Sequence, residues 1–152
     1  MISKVTIDKT TFHDVPFRFE AGTPHIEGAV GLHAALDFVD RIGLDKIHEY
    51  EMELLKEATA KLSAIPDVVI VGTAADKGPI LSFNIKGAHH SDVGQILDQE
   101  GVAVRAGHHC TQPLMAKFGV PGTVRASFSV YNNHEDINAL VKAVAKAREM
   151  LL

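Results

Sequence analysis

The stretch Pro79–Gly87, "PILSFNIKG", alternates Leu81, Phe83 and Ile85 against Ile80, Ser82 and Asn84. Such a period-two pattern belongs to a strand with one face buried, and that face needs a cover. The rest of the chain supplies helices for it. From Ala29 to about Ile65 the apolar residues recur at helical spacing, with Leu32, Leu36 and Val39 as one stripe, and Ile47, Leu54, Leu55, Ala58 and Leu62 resuming after "RIG". Gly43 suits a C-terminal cap, Asp45 the N-cap of the second piece, and Pro66 a stop. Ser91 reads as an N-cap for a helix that buries Val93, Ile96 and Leu97 and ends at Gly101. "PLMAKFG" reads as a short helix with proline in its first turn. From His134 the chain reads as a closing helix with an apolar face of Ile137, Leu140, Val141, Val144 and Met150.

"VVIVG" (68–72), "VAVRAG" (102–107) and "TVRASFSVY" (123–131) read as further strands. The lead-in, residues 1–24, reads as strand-like and irregular, with Val5 and Ile7 alternating and Phe17 and Phe19 on one face of an extended segment. A few strands covered by helices on one face make an α+β fold. At 152 residues the chain suits one domain with a core, or one plus a short appendage.

A net charge of −4 with interspersed signs and no Lys/Arg stripe argues against nucleic acid as partner. No segment reaches the roughly 18 apolar residues of a membrane span, and the N-terminus lacks the apolar run of a secretory signal. One cysteine cannot form an internal disulfide, which suits a reducing, cytoplasmic setting.

That cysteine, Cys110, lies in "RAGHHCTQPLM" (105–115). A buried apolar thiol, a metal ligand and a nucleophile are the three readings. Polar neighbours and a strand-to-helix loop disfavour the first. Against the second, the nine histidines show no HExxH or CxxC spacing, and "HHC" in an extended segment sends neighbours to opposite faces. For the third, Arg105, the histidines and the helix opened by Pro113 could supply positive charge to a thiolate.

This loop resembles the active-cysteine loop of the group II (SufS-type) cysteine desulfurases, Arg-x-Gly-His-His-Cys followed by Pro-Leu. "PFRFEAGTPHIEGAVGLHAAL", "GPILSFNIKGAHHSDVGQILDQEGVAVRAGHHC" and "VRASFSVYNNHEDI" resemble further segments of that family in order and spacing. The resemblance implies the small C-terminal domain of the pyridoxal-phosphate-dependent aminotransferase-like (fold type I) architecture. Residues 1–28 would then be a lead-in belonging to the large-domain and dimer-contact region, and residues 29–152 the small domain.

It further implies conversion of L-cysteine to L-alanine, with a persulfide left on Cys110 for iron–sulfur cluster assembly. Arg125 would hold the substrate carboxylate, with Arg105 a second substrate-binding candidate. Thr23 in "AGTP" would reach the cofactor phosphate of the partner subunit in a homodimer. His109 would support or orient the loop. A SufE- or SufU-like protein would accept the sulfur, and no metal is implied.

The family's Ser-x-His-Lys segment, whose lysine holds the cofactor, has no counterpart here, since no His-Lys dipeptide occurs. The sequence is therefore expected to be the C-terminal portion of a desulfurase, without covalently bound cofactor and inactive alone. Phe12, Phe17 and Phe19 would then lack partners and favour a dimer or a poorly ordered N-terminus. The alternatives are a free-standing relay module carrying a persulfide on Cys110, and a metal-binding domain.

Overall fold

The alternation at residues 80–85 produces strand β4 (Ile80–Ile85), in which Leu81 and Phe83 are fully buried and Ile85 nearly so. It is an inner strand of an antiparallel four-stranded sheet in the computed structural model, which describes residues 1–152. Its neighbours are β3 (Val68–Val71), β5 (Arg105–Gly107) and β6 (Thr123–Ser127), in the order β3-β4-β6-β5. Phe83 pairs with Ile70 on one side and Val124 on the other, and Leu81 with Ala126. Val124 and Ala126 are buried with them, so one face of the sheet is continuous core.

Three helices cover that face. These are α2 (Leu44–Ser63), α3 (His90–Gln99) and α5 (His134–Leu151), which bury Leu54, Leu55, Ala58 and Leu62, then Val93, Ile96 and Leu97, then Ile137, Leu140, Ala143, Val144 and Ala147. The expected α+β architecture, with helices on one face of a small sheet, is the one observed. Met150, expected on the inner face of α5, is 59% exposed, because Ala143 and Ala147 hold the inward stripe instead. Val141 is half-buried at the core's margin. Asn133 and Asp136 close α5 with a reciprocal capping box. The carboxylate of Asp67 accepts from Arg148 Nε and Nη2 at 2.9 and 2.7 Å, which ties the entry of β3 to the end of α5.

Several local expectations are corrected. Asp45 lies inside the first turn of α2 rather than at its cap, because the helix resumes at Leu44 directly after Gly43. His89, not Ser91, caps α3, its Nδ1 accepting from Ser91 N–H at 3.3 Å. The strand expected over 102–107 pairs only from Arg105. Val102 N–H is spent on Leu97 O at the end of α3, at 2.9 Å, which draws that segment away from β6.

The chain divides into two compact units, Met1–Gly43 and Leu44–Leu152. The first holds a hairpin of β1 (Ile2–Val5) and β2 (Thr10–Phe12), a 3-10 turn at Phe17–Phe19, and α1 (Ile26–Ile42). The 3-10 turn replaces the extended segment expected there. Pro16 takes a helical backbone conformation, and Phe19 and Glu20 N–H then donate to Pro16 and Phe17 carbonyls. No residue of α1 is buried, so the stripe expected to face a core is open, with Leu32 and Leu36 more than half exposed. No helix is long and apolar enough to cross a membrane.

Candidate active site

The sheet's other face carries the polar half of each alternating strand. Val71 of β3 pairs with Ser82 of β4, Ser82 with Arg125 of β6, and Arg125 with Arg105 of β5. These four residues form one row across the sheet, and the row pairs Arg125 with Arg105. Like charges directly opposite on neighbouring strands repel, so the row carries uncompensated positive charge. Arg125 is half-buried, and its Nε is buried without a partner. Arg105, on the edge strand, is exposed. A pocket of about 270 Å³ opens beside the row, lined by Ser82, His109, Thr123 and Arg125 with the apolar side chains of α4 (Gln112–Phe118).

Cys110 sits on the turn between β5 and α4 and is an exposed free thiol. The buried-hydrophobe reading therefore fails. Arg105 Nη2 donates toward its sulfur at 3.8 Å. The turn is backbone-strained: His109 and Cys110 have φ of 55° and 61°, consecutive left-handed residues without glycine. Such conformations cost about 1–3 kcal/mol each and persist only when surroundings enforce them. Here His108 Nδ1 accepts from Cys110 N–H at 3.1 Å, and His108 O accepts from both Thr111 Oγ1 and Thr111 N–H at 2.8 and 2.9 Å. His109 Nε2 lies 2.9 Å from Thr123 Oγ1 and 3.1 Å from Thr123 O.

Arg105 thus stands at the Cys110 sulfur and is paired with Arg125 on the neighbouring strand, while Thr23 lies exposed in the other unit. Ser82 and Thr123 were not singled out from the sequence. The signal was present in "TVRAS", where period two places Thr123 on the same face as Arg125. No three of the His, Cys, Asp and Glu side chains converge as a metal site.

His109 favours its neutral form: burial lowers its pKa, the Thr123 carbonyl opposes this, and Arg125, Arg105 and His108 add to the lowering. His90 is lowered too, by burial first and then by His89 and His109, against Asp92. The unfolded chain therefore binds these protons more readily than the folded one. Stability is complete above the ordinary histidine value of 6.5 and falls as the pH drops through the lower folded values. Glu57, held below the usual carboxylate value of 4.5 by Lys61 and His134, gives up its contribution only in a more acidic window. Urea midpoints followed from neutrality down to about pH 5 are expected to decline. A flat profile there would contradict the assignment.

Comparison with known proteins agrees with this geometry. The family described as aminotransferase class-V matches residues 1–140. A probable cysteine desulfurase of Xylella fastidiosa is 47% identical over 151 residues, which cover 99% of this chain and 36% of that protein. A cysteine desulfurase of Synechococcus elongatus is 49% identical over 146 residues, 96% of this chain and 23% of that one. Among solved structures, the cysteine desulfurase CsdA of Escherichia coli, as its S-sulfonic acid, superposes with a TM-score of 0.87 at 38% identity, over all of this chain and 38% of its own. The apo cysteine desulfurase of Thermococcus onnurineus gives 0.86 at 40% identity, over 99% of this chain and 38% of its own. The chain spans well under half the length of each relative.

Proposed function

The chain belongs to the class-V aminotransferase family, and on that premise we propose that it is the C-terminal part of a cysteine desulfurase. The observation that carries the reading is the sole cysteine, exposed on a strained turn, with Arg105 at its sulfur and Arg125 adjacent on the same sheet face. Arg125 would hold the carboxylate of L-cysteine, where a guanidinium can pair both oxygens, and Arg105 would serve substrate binding beside it. Cys110 Sγ would attack the substrate's sulfur. The new S–S bond forms as the substrate C–S bond breaks, and the electron pair of the broken bond stays with carbon, which takes a proton to give L-alanine. A persulfide remains on Cys110.

The residues present suit part of what the family's cofactor requires. The unpartnered Nε of Arg125 fits an oxygen of the substrate carboxylate that the cofactor would carry, and the Thr23 hydroxyl can donate to a cofactor phosphate oxygen. No lysine lines the pocket beside Arg125. When bound, pyridoxal phosphate supplies the electron sink for the amino acid. Its covalent anchor is expected on the larger part of the enzyme, so this chain alone is proposed to be inactive.

The loop "RAGHHCTQPLM" supports the group II assignment, and with it a SufE- or SufU-like acceptor, iron–sulfur cluster assembly and a cytoplasmic setting. Residues 1–28 are proposed to pack with the larger part or a partner subunit in a homodimer. The exposure of Val15, Phe17 and Phe19, at 66%, 64% and 78%, supports this. A free-standing relay module is disfavoured, since the relatives that align along nearly all of the chain are desulfurases.

The test is a chimera in which this chain replaces the matching C-terminal segment of the Xylella relative, assayed for alanine from L-cysteine. An active chimera is expected, and Arg125→Ala should raise its KM for L-cysteine by about a hundredfold, as for loss of one partner of a desolvated charge pair. A folded chimera that makes no alanine overturns the reading. An unchanged KM overturns the role of Arg125 alone.

A further inference from the structure

Thr123 is 1% exposed and is the fully buried polar side chain of this protein. A valine would fill the same volume and suit a strand as well, so packing does not explain the hydroxyl. Both its hydroxyl and its carbonyl face His109 Nε2, at 2.9 and 3.1 Å. The carbonyl can only accept, so Nε2 carries the proton and donates to the pair. The platform beneath is closely packed: a Cβ at the adjacent Gly122 would stand 2.8 Å from the carbonyl carbon of Gly107. The start of β6 and the end of β5 are therefore in backbone contact, and the Cys110 turn hangs from that junction by the His109 ring. His109 and Cys110 are also the two residues held left-handed. Release of the ring would leave the turn held by the local His108 bonds to Cys110 and Thr111 and by Arg105 at the sulfur.

We propose that Thr123 is a positioning residue for Cys110: through His109 it holds the left-handed turn that presents the sulfur beside Arg105. The inference rests on the reading of Cys110 as the sulfur-carrying nucleophile, but its test does not need turnover. Because the chain has one cysteine, the rate of alkylation by iodoacetamide reports that sulfur alone. Arg105→Ala is expected to slow alkylation several-fold in the unaltered chain, since it removes the donor at the sulfur. Thr123→Val removes the hydroxyl contact and leaves the carbonyl one, so alkylation should slow by roughly threefold to tenfold, the effect of one hydrogen bond, and Arg105→Ala should then slow it by less than in the unaltered chain. Thr123→Ser, which keeps the hydroxyl, should restore both the rate and its dependence on Arg105.

Equal effects of Arg105→Ala in the Thr123→Val and unaltered backgrounds, no effect in either included, overturn the proposal. So does a serine variant that behaves like valine. If Thr123→Val does not fold, His109→Phe, at a half-exposed position, removes both contacts of the ring to Thr123 and is read by the same criteria. A chain that shows this coupling yet takes up no sulfur from a persulfide donor keeps the positioning and loses the proposed function. Sulfur uptake without the coupling does the reverse.

Discussion

Cys110→Ser is expected to abolish sulfur uptake. In the chimeric enzyme, alanine formation is expected to fall by at least about a thousandfold, as when a covalent nucleophile is removed. In the isolated chain, mass spectrometry after incubation with a small-molecule persulfide should show one added sulfur per chain for the unaltered protein and none for the variant. Serine keeps the shape of the turn and the Cys110 N–H bond to His108, so the comparison isolates the sulfur atom. A serine oxygen is a poor nucleophile without an adjacent base, and it cannot close an S–S bond. No other thiol is present to mask the result. A variant that still gains sulfur would place the acceptor elsewhere and remove the basis of the proposed chemistry.

Phe83→Ala is the most damaging single change expected in the fold. Phe83 is fully buried and is paired on both sides, to Ile70 and Val124, at the middle of the sheet. Truncation there costs about 3–5 kcal/mol, against a total stability of about 5–15 kcal/mol for a domain of ordinary size. Phe12→Ala is the control. That phenylalanine is 52% exposed in the first unit, and its loss should change the urea midpoint little. Equal midpoints for the two variants would mean that β4 does not organise the core.

What the sequence revealed and what it hid have separate physical causes. The period of "ILSFNI" and the stripes of α3 and most of α5 were legible because each signal lies within one element and one buried face. The stripe of α1 misled because periodicity shows which residues share a face, not whether anything covers it. Phe17 and Phe19 misled because a single pair of apolar residues two apart is too short to reveal a period, and a turn begun at Pro16 took the segment instead. The His89 cap escaped because a ring nitrogen took the place usually held by a serine or aspartate oxygen. At the candidate site, Cys110, Arg105 and Arg125 were readable as candidates through one loop and one strand motif. The link from Thr123 to His109 depends on the register between β5 and β6, which no local pattern contains.

The position of β6 also governs when the thiol acquires its surroundings. Thr123 and Arg125 belong to the strand that inserts between β4 and β5, and β6 pairs with β4 across some forty positions of sequence. Closure of so long a loop carries an entropic cost that local hairpins and helices do not. On a ribosome, Cys110 emerges before the residues that anchor its turn. Its mature presentation therefore requires β6 to be in place between β4 and β5.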